Sequence, residues 1–297
     1  MQAKRYASLQ SAVDGICGDG TKIIKSLSVS GGDINRAYVL RLSGGQSLFM
    51  KENRADNLNF FVREAEGLDA IKRTGAIRVP EVYAYGTDGG SAFLLMECIE
   101  EGSRSEDFFE DFGRQLADMH AAECSYYTEP KSFGFTNDNY IGAGFQENTP
   151  EEKWVDFFRN RRLLPQIRRA EHYFGASEYG RIDALLEKLD DILVEPAKPA
   201  LLHGDLWAGN YMTGNDGRAW LIDPAVYVGH PEADIAMTEL FGGYPGSFYE
   251  GYFNSSGLPE GYADRRDIYN LYHLFNHLNL FGGSYYGSVM RIVKHYT

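Results

Sequence analysis

The chain has 297 residues, 43% of them hydrophobic, and 29 basic against 42 acidic side chains give a formal charge of -13. This length builds one large or two modest domains around a buried core. The acidity argues against nucleic acid and anionic membrane surfaces as partners, and no apolar run approaches the roughly 18 residues of a membrane span. Cys17, Cys98 and Cys124 are far apart and form no C-x-x-C. That spacing speaks against a zinc site or a disulfide framework and suits a reducing cytosol. No apolar stretch follows Met1-Gln2-Ala3-Lys4-Arg5, so a cytoplasmic protein without a signal peptide is expected.

Ile23 to Val29 reads as a strand. A glycine-bearing turn from Ser30 to Tyr38 follows, then a return strand to Leu42. Gly31 and Gly32 would let backbone amides approach a phosphate closely, although a Gly-Gly turn also serves as a plain hairpin. No G-x-x-x-x-G-K-[ST] occurs, which excludes that type of P-loop. Gly44-Gly45 turns the chain into Ser47-Leu48-Phe49-Met50-Lys51, where Lys51 ends an apolar run and either points inward or is solvated. The next helix is expected over residues 57–73, with Phe61, Leu68 and Ile71 on its apolar face. Glu64 shares that face, three residues after Phe61 and four before Leu68. A carboxylate there is costly unless paired, and Lys51 is its natural partner, as a grip on nucleotide phosphates or as a structural salt bridge.

Gly75 ends the helix. Further strands are expected over residues 78–83 and 91–97, the second entering Cys98-Ile99-Glu100-Glu101-Gly102. This segment reads as a hinge, with backbone groups of Glu97, Cys98 and Ile99 available to an adenine. Ser105 is expected to cap a helix reaching about Ala122, whose His120 is read as structural. Residues 131–150 read as an irregular loop of aromatics and amides, suited either to a polyhydroxylated ligand or to loop packing. A helix over residues 154–171 carries Arg159, Arg161, Arg162, Arg168 and Arg169 as a solvated basic face, and another spans residues 182–193.

The centre of the argument is His203-Gly204-Asp205-Leu206-Trp207-Ala208-Gly209-Asn210, followed by Trp220-Leu221-Ile222-Asp223-Pro224. Each of two apolar runs delivers a carboxylate, and an amide lies between them. In phosphoryl transfer one carboxylate orients or deprotonates the attacking hydroxyl, while a second carboxylate and an amide oxygen hold magnesium. Asp205 is therefore the expected base, and Asn210 and Asp223 the metal ligands. His203 is read as a brace for the loop. ATP and Mg2+ are the implied cofactors.

At this point the chain resembles the fructosamine kinase (ketosamine-3-kinase) family. The resemblance rests on residues 203–210, Ile222-Asp223-Pro224-Ala225, residues 227–234, Glu239 to Pro245, Ser30 to Asn35, and Tyr272 to Gly282. It implies an α+β, two-lobed, protein-kinase-like fold: an N-terminal antiparallel sheet plus helix, and a mainly helical C-terminal lobe, taken here as residues 1–98 and 99–297. It further implies ATP-dependent phosphorylation of the sugar 3-hydroxyl of fructosamines or ribulosamines, free or on protein lysines, giving an unstable product that releases the amine. Lys51 and Glu64 match the family's phosphate lysine and its helix partner. Asp33 stands in the glycine turn where some members have Cys, so a disulfide-linked dimer is not expected and a monomer is. Trp207, two residues from Asp205, is a candidate to stack on the sugar, and His230, Glu232, His277 and Asn279 are further pocket candidates, each equally suited to a core role. Two other readings compete: a kinase of the aminoglycoside or choline type, and a nucleotide-binding protein without catalysis.

Overall fold

The computed structural model describes residues 3–29, 34–254 and 258–297. Gly31 and Gly32 lie outside the described residues. The chain divides into two compact units, Met1–Phe108 with Met212–Asp223, and Phe109–Tyr211 with Pro224–Thr297. The division thus falls after Phe108 rather than after Cys98, and one later segment belongs with the first unit.

The first unit is built on a six-stranded sheet. Its strands are β1 (Lys4–Tyr6), β2 (Ile23–Val29), β3 (Arg36–Leu42), β4 (Ser47–Arg54), β5 (Val82–Asp88) and β6 (Ser91–Glu97), ordered β1-β5-β6-β4-β3-β2. Five strands pair antiparallel, as expected, and β1 joins parallel to β5. A helix the sequence reading did not anticipate, α1 (Leu9–Cys17), is capped by Ser8, whose hydroxyl accepts the Ser11 amide. Its Ala12 and Val13 pack on the sheet face made by Leu40, Leu42, Leu48, Met50, Ala84, Phe93 and Leu95. Alternation along β4 then sends Lys51 to the other face. That face meets α2 (Leu58–Thr74), which buries Phe61, Ala65, Leu68 and Ile71 and ends at Gly75 in the left-handed conformation.

The strand expected over residues 78–83 begins only at Val82, and Arg78 instead makes a single bridge to Trp220. The return segment is fastened to this unit by backbone bonds. The Gly102 amide donates to Thr213 O, Ser105 to Gly217 O and Leu221 to Arg78 O. These bonds explain why a hairpin after the aspartate loop (Tyr211–Thr213 paired with Ala219–Leu221) belongs mainly to a unit so distant in sequence. They also correct one expectation. The Ser105 hydroxyl donates to Gly217 O and caps no helix, and α3 begins at Phe108 and runs to Ala121.

The second unit is mainly helical. After α3 come α4 (Trp154–Phe157), a π-helical stretch (Phe158–Leu163), α5 (Leu164–Arg169), α6 (Ala176–Ile192), α7 (Glu232–Leu240), α8 (Gly246–Phe253), α9 (Tyr262–Phe281) and α10 (Tyr286–Tyr296). The single helix expected from Trp154 is widened because Pro165 has no N–H for Arg161 O and its ring would clash with that carbonyl. The freed carbonyl accepts Arg162 Nη1 at 3.0 Å. Arg162 is therefore not on a solvated face. It is fully buried, stacked 3.9 Å over Tyr227 and bonded to Glu147 O and Asn148 Oδ1, while Arg161 pairs with Glu147 and Glu151.

The stretch read as an irregular loop contains a hairpin, Asn139–Ile141 with Gly144–Gln146. Its amides Asn139, Gln146 and Asn148 are buried and bonded to one another and to Val226 and Ala225 carbonyls, which favours the packing role. No described helix is long and apolar enough to cross a membrane.

Candidate active site

Lys51, Glu64 and Asp223 come together within the first unit. Lys51 Nζ lies 2.6 Å from Glu64 Oε1 and also contacts Asp223 Oδ1. The Lys51 and Glu64 side chains are only 11% and 13% exposed, whereas Asp223 is 42% exposed. Burial alone would lower the Lys51 pKa, but Asp223 and Glu64 overcome it and hold the ammonium charged well above its ordinary range. The Glu64 carboxyl is pushed up by burial and by Asp223, against the pull of Lys51. Two carboxyl groups therefore share one ammonium. Asp223 has φ +55°, a left-handed backbone that non-glycine residues adopt at a cost of about 1–3 kcal/mol and that concentrates at functional sites.

The aspartate loop belongs to the second unit. Strand Ala200–Leu202 pairs with Tyr227–Gly229 and leads into it. Gly204 takes φ +81°, and a Cβ there would stand 2.0 Å from Ala225 O, so only glycine fits. Asp234, near the start of α7, accepts the amides of His203 and Gly204 at 2.7 and 2.8 Å and faces His120 Nε2 at 3.1 Å. His203 is fully buried, and its Nδ1 accepts the Asp205 amide at 3.3 Å. His203 thus braces the loop, as read from sequence; His120, read as structural, supports Asp234, and Asp234 is a brace the sequence reading passed over. Its only signal was a carboxylate among apolar neighbours. Asn210 Nδ2 donates to Asp205 O at 2.8 Å and to Asp205 Oδ2 at 3.1 Å. This fixes the carboxylate and turns the amide oxygen the other way. Asn210 in this unit and Asp223 in the first unit each carry a side-chain oxygen of the kind magnesium prefers. Among the described residues no group of three His, Cys, Asp or Glu could hold a metal ion.

The other candidates divide. The Trp207 ring is 40% exposed. It is seated against Gly209, where a Cβ would meet the indole at 2.3 Å. It stands edge-on to Phe241 at 6.4 Å, and Phe241 lies 4.8 Å from the His277 ring. These three form one aromatic wall, with Phe241 the member missed. His230 is buried against Trp154 and Tyr269. Glu232 is held by Arg265 through two bonds of 2.6 and 2.7 Å, and Asn279 donates to Gln166. All three side chains make contacts internal to the unit. Glu97 ends β6, and Cys98 and Ile99 continue half-buried outside any regular element.

A mixed sheet with its lysine-bearing strand and flanking helix, together with a mainly helical unit that carries an aspartate loop, is the fold of protein-kinase-like phosphotransferases, and this chain is one. The model of the fructosamine kinase family matches residues 6–297. A relative from Synechocystis sp., named a probable ketoamine kinase, is 38% identical over 290 residues, covering 97% of this chain and 96% of the relative. The chloroplastic protein-ribulosamine 3-kinase of Oryza sativa subsp. indica is 39% identical over 282 residues, covering 94% and 80% respectively. A crystal structure named as a fructosamine-3-kinase from Haemophilus somnus 129PT superposes with TM-score 0.86 at 28% identity, covering 97% of this chain and 96% of that one. The chain belongs to the fructosamine kinase family.

Proposed function

We propose that this enzyme transfers the γ-phosphoryl group of ATP to the sugar 3-hydroxyl of a fructosamine or ribulosamine, free or carried on a protein lysine. The observation that carries the reading is the Asn210 amide donating to both the carbonyl and the carboxylate of Asp205. It leaves one oriented carboxylate as proton acceptor and one amide oxygen as metal donor, the division of labour phosphoryl transfer requires. The relatives' names supply the acceptor class.

Asp205 aligns the attacking hydroxyl and takes its proton as the new O–P bond forms and the bond from the γ-phosphorus to ADP breaks. Lys51, steadied by Glu64, binds phosphate oxygens. Asn210 and Asp223 would hold magnesium, which when bound neutralises charge on the phosphates. The backbone of Glu97, Cys98 and Ile99 would receive the adenine. Trp207, Phe241 and His277 stack on the sugar, orienting it by contact with its C–H face. Positioning and charge neutralisation carry the rate. The chain from Asp223 to α7 is short, which favours a small acceptor or a single modified side chain over a docked protein substrate.

The test is ATP consumption over fructosyl-lysine, ribulosyl-lysine, aminoglycosides and choline. Turnover with the two ketosamines is expected. Turnover with an aminoglycoside or choline alone would overturn the reading.

A further inference from the structure

His273 lies on α9 one turn before His277. It is buried, and its Nδ1 stands 3.8 Å from Asp205 Oδ1. Among the described residues, that nitrogen is one of few buried side-chain polar atoms with no hydrogen-bond partner. A buried polar atom left unmatched calls for a physical reason, and here it faces the carboxylate that the mechanism uses. The other oxygen of that carboxylate is already held by Asn210 at 3.1 Å. The gap of 3.8 Å is too long for a hydrogen bond. A movement of less than about 1 Å closes it, and catalytic hydrogen bonds that are long in a ligand-free site commonly tighten when substrate binds.

The imidazole is neutral. Burial pushes its pKa down to about 3, with His277 and Arg162 adding to the effect and Asp234 opposing it. A neutral ring carries one N–H, and the adjacent carboxylate favours the tautomer with that proton on Nδ1. Such a donor orients Asp205 without the charge that would weaken it as a proton acceptor.

We propose that His273 is the positioning residue of Asp205: its Nδ1–H closes on Asp205 Oδ1 as the acceptor hydroxyl arrives and holds the carboxylate in the rotamer that presents a lone pair to that hydroxyl. The inference rests on the reading of Asp205 as the proton acceptor. It separates His273 from His277, which belongs to the aromatic wall and whose Nδ1 is engaged by His273 O at 2.8 Å.

Three substitutions of His273, and 15N spectra of the parent and of Asp205→Asn, test it. His273→Leu fills similar volume without the donor. It should lower kcat with a ketosamine roughly tenfold or more and leave the KM for ATP and Tm essentially as they were. His273→Asn places an amide N–H where Nδ1 stood and should restore most of that loss, whereas His273→Gln, which reaches the Nε2 position, should not. In 15N spectra of the parent at neutral pH the His273 proton should reside on Nδ1, and its resonance should move in Asp205→Asn. Full kcat in His273→Leu, an Asn variant no better than Leu, or a proton on Nε2 would overturn the proposal. A parent that turns over no ketosamine would defeat the functional reading instead, and the imidazole spectrum would then decide the role of His273 by itself.

Discussion

Replacing Glu64 with alanine separates a structural salt bridge from a working one. Lys51 and Glu64 meet at 2.6 Å with side chains only 11% and 13% exposed. Removing one member of such a buried pair ordinarily costs about 3–5 kcal/mol, because the other charge is orphaned. Lys51 is not orphaned, since it also contacts Asp223. The stability loss should therefore be that of one charged hydrogen bond, about 2 kcal/mol, or a fall in Tm on the order of 4–8 °C. The catalytic loss should be larger. Without Glu64, the ammonium is shared with no second carboxylate and pairs with Asp223 one to one, masking the group assigned to magnesium. Losing a residue that orients metal-site groups typically costs about 10–100-fold, so kcat/KM for ATP should fall by that factor and recover partly at raised Mg2+. Thermal melts and ATP titrations at several Mg2+ concentrations measure both effects. Unchanged kcat/KM in a variant with a normal fall in Tm would refute the reasoning and leave the pair as a structural bridge.

Three further outcomes are expected. Asp205→Asn should reduce ketosamine phosphorylation by about 10²–10⁴-fold while calorimetric ATP binding persists, because Lys51, Glu64 and Asp223 are untouched; undiminished turnover would sink the role given to Asp205. Glu232→Gln should cost about 3–5 kcal/mol by stranding buried Arg265, leaving the KM for ketosamine unchanged in protein that remains folded. A normal Tm with a raised KM would return Glu232 to the acceptor site. His230, pushed down by burial from its ordinary 6.5 to about 4, is depressed in the folded state. Its contribution to stability is thus present above pH 6.5 and lost as pH falls toward 4. Tm should decline over that window, and less steeply in His230→Phe; parallel slopes would count against the assignment.

The site was legible in sequence where chemistry and periodicity coincide. Glu64 on an apolar helical face and Lys51 at the end of an apolar strand each imply a partner, and the structure joins them. Asp205 and Asn210 were legible as the acid and the amide of one short segment, and the structure adds what spacing did not give, two bonds from the Asn210 amide to Asp205. What stayed hidden depends on contacts distant in sequence. Asp234, a carboxylate among apolar neighbours, gains a role only when its bonds to two loop amides, 31 and 30 residues away in sequence, are seen. Arg162 reads as one of five arginines on a solvated helix, because the proline-driven widening that turns it inward leaves no mark on a helical wheel. The short strand Lys4–Tyr6 has no periodicity to detect, and it exists only by pairing with β5.

The buried polar groups of the second unit are best understood through α9. Tyr272 donates to Gln146 Oε1 at 2.6 Å, Gln146 in turn bonds Asn139, and Gln166 reaches Asn276 at 3.2 Å. Asn279 returns two bonds to Gln166. These contacts flank His273 and His277 on the same helix. Apolar side chains could fill that volume with less desolvation, so raw stability does not account for the network. Directional bonds fix the rotation and axial register of a helix, which apolar packing tolerates in several forms. On α9 that register sets where His273 faces Asp205 and where His277 joins the wall with Phe241 and Trp207. The Glu232–Arg265 pair anchors the opposite end of α9 to α7, the helix whose Asp234 holds the aspartate loop. Loop and wall are thus referred to one rigid pair of helices. That is the support a reaction needs when positioning supplies most of its rate.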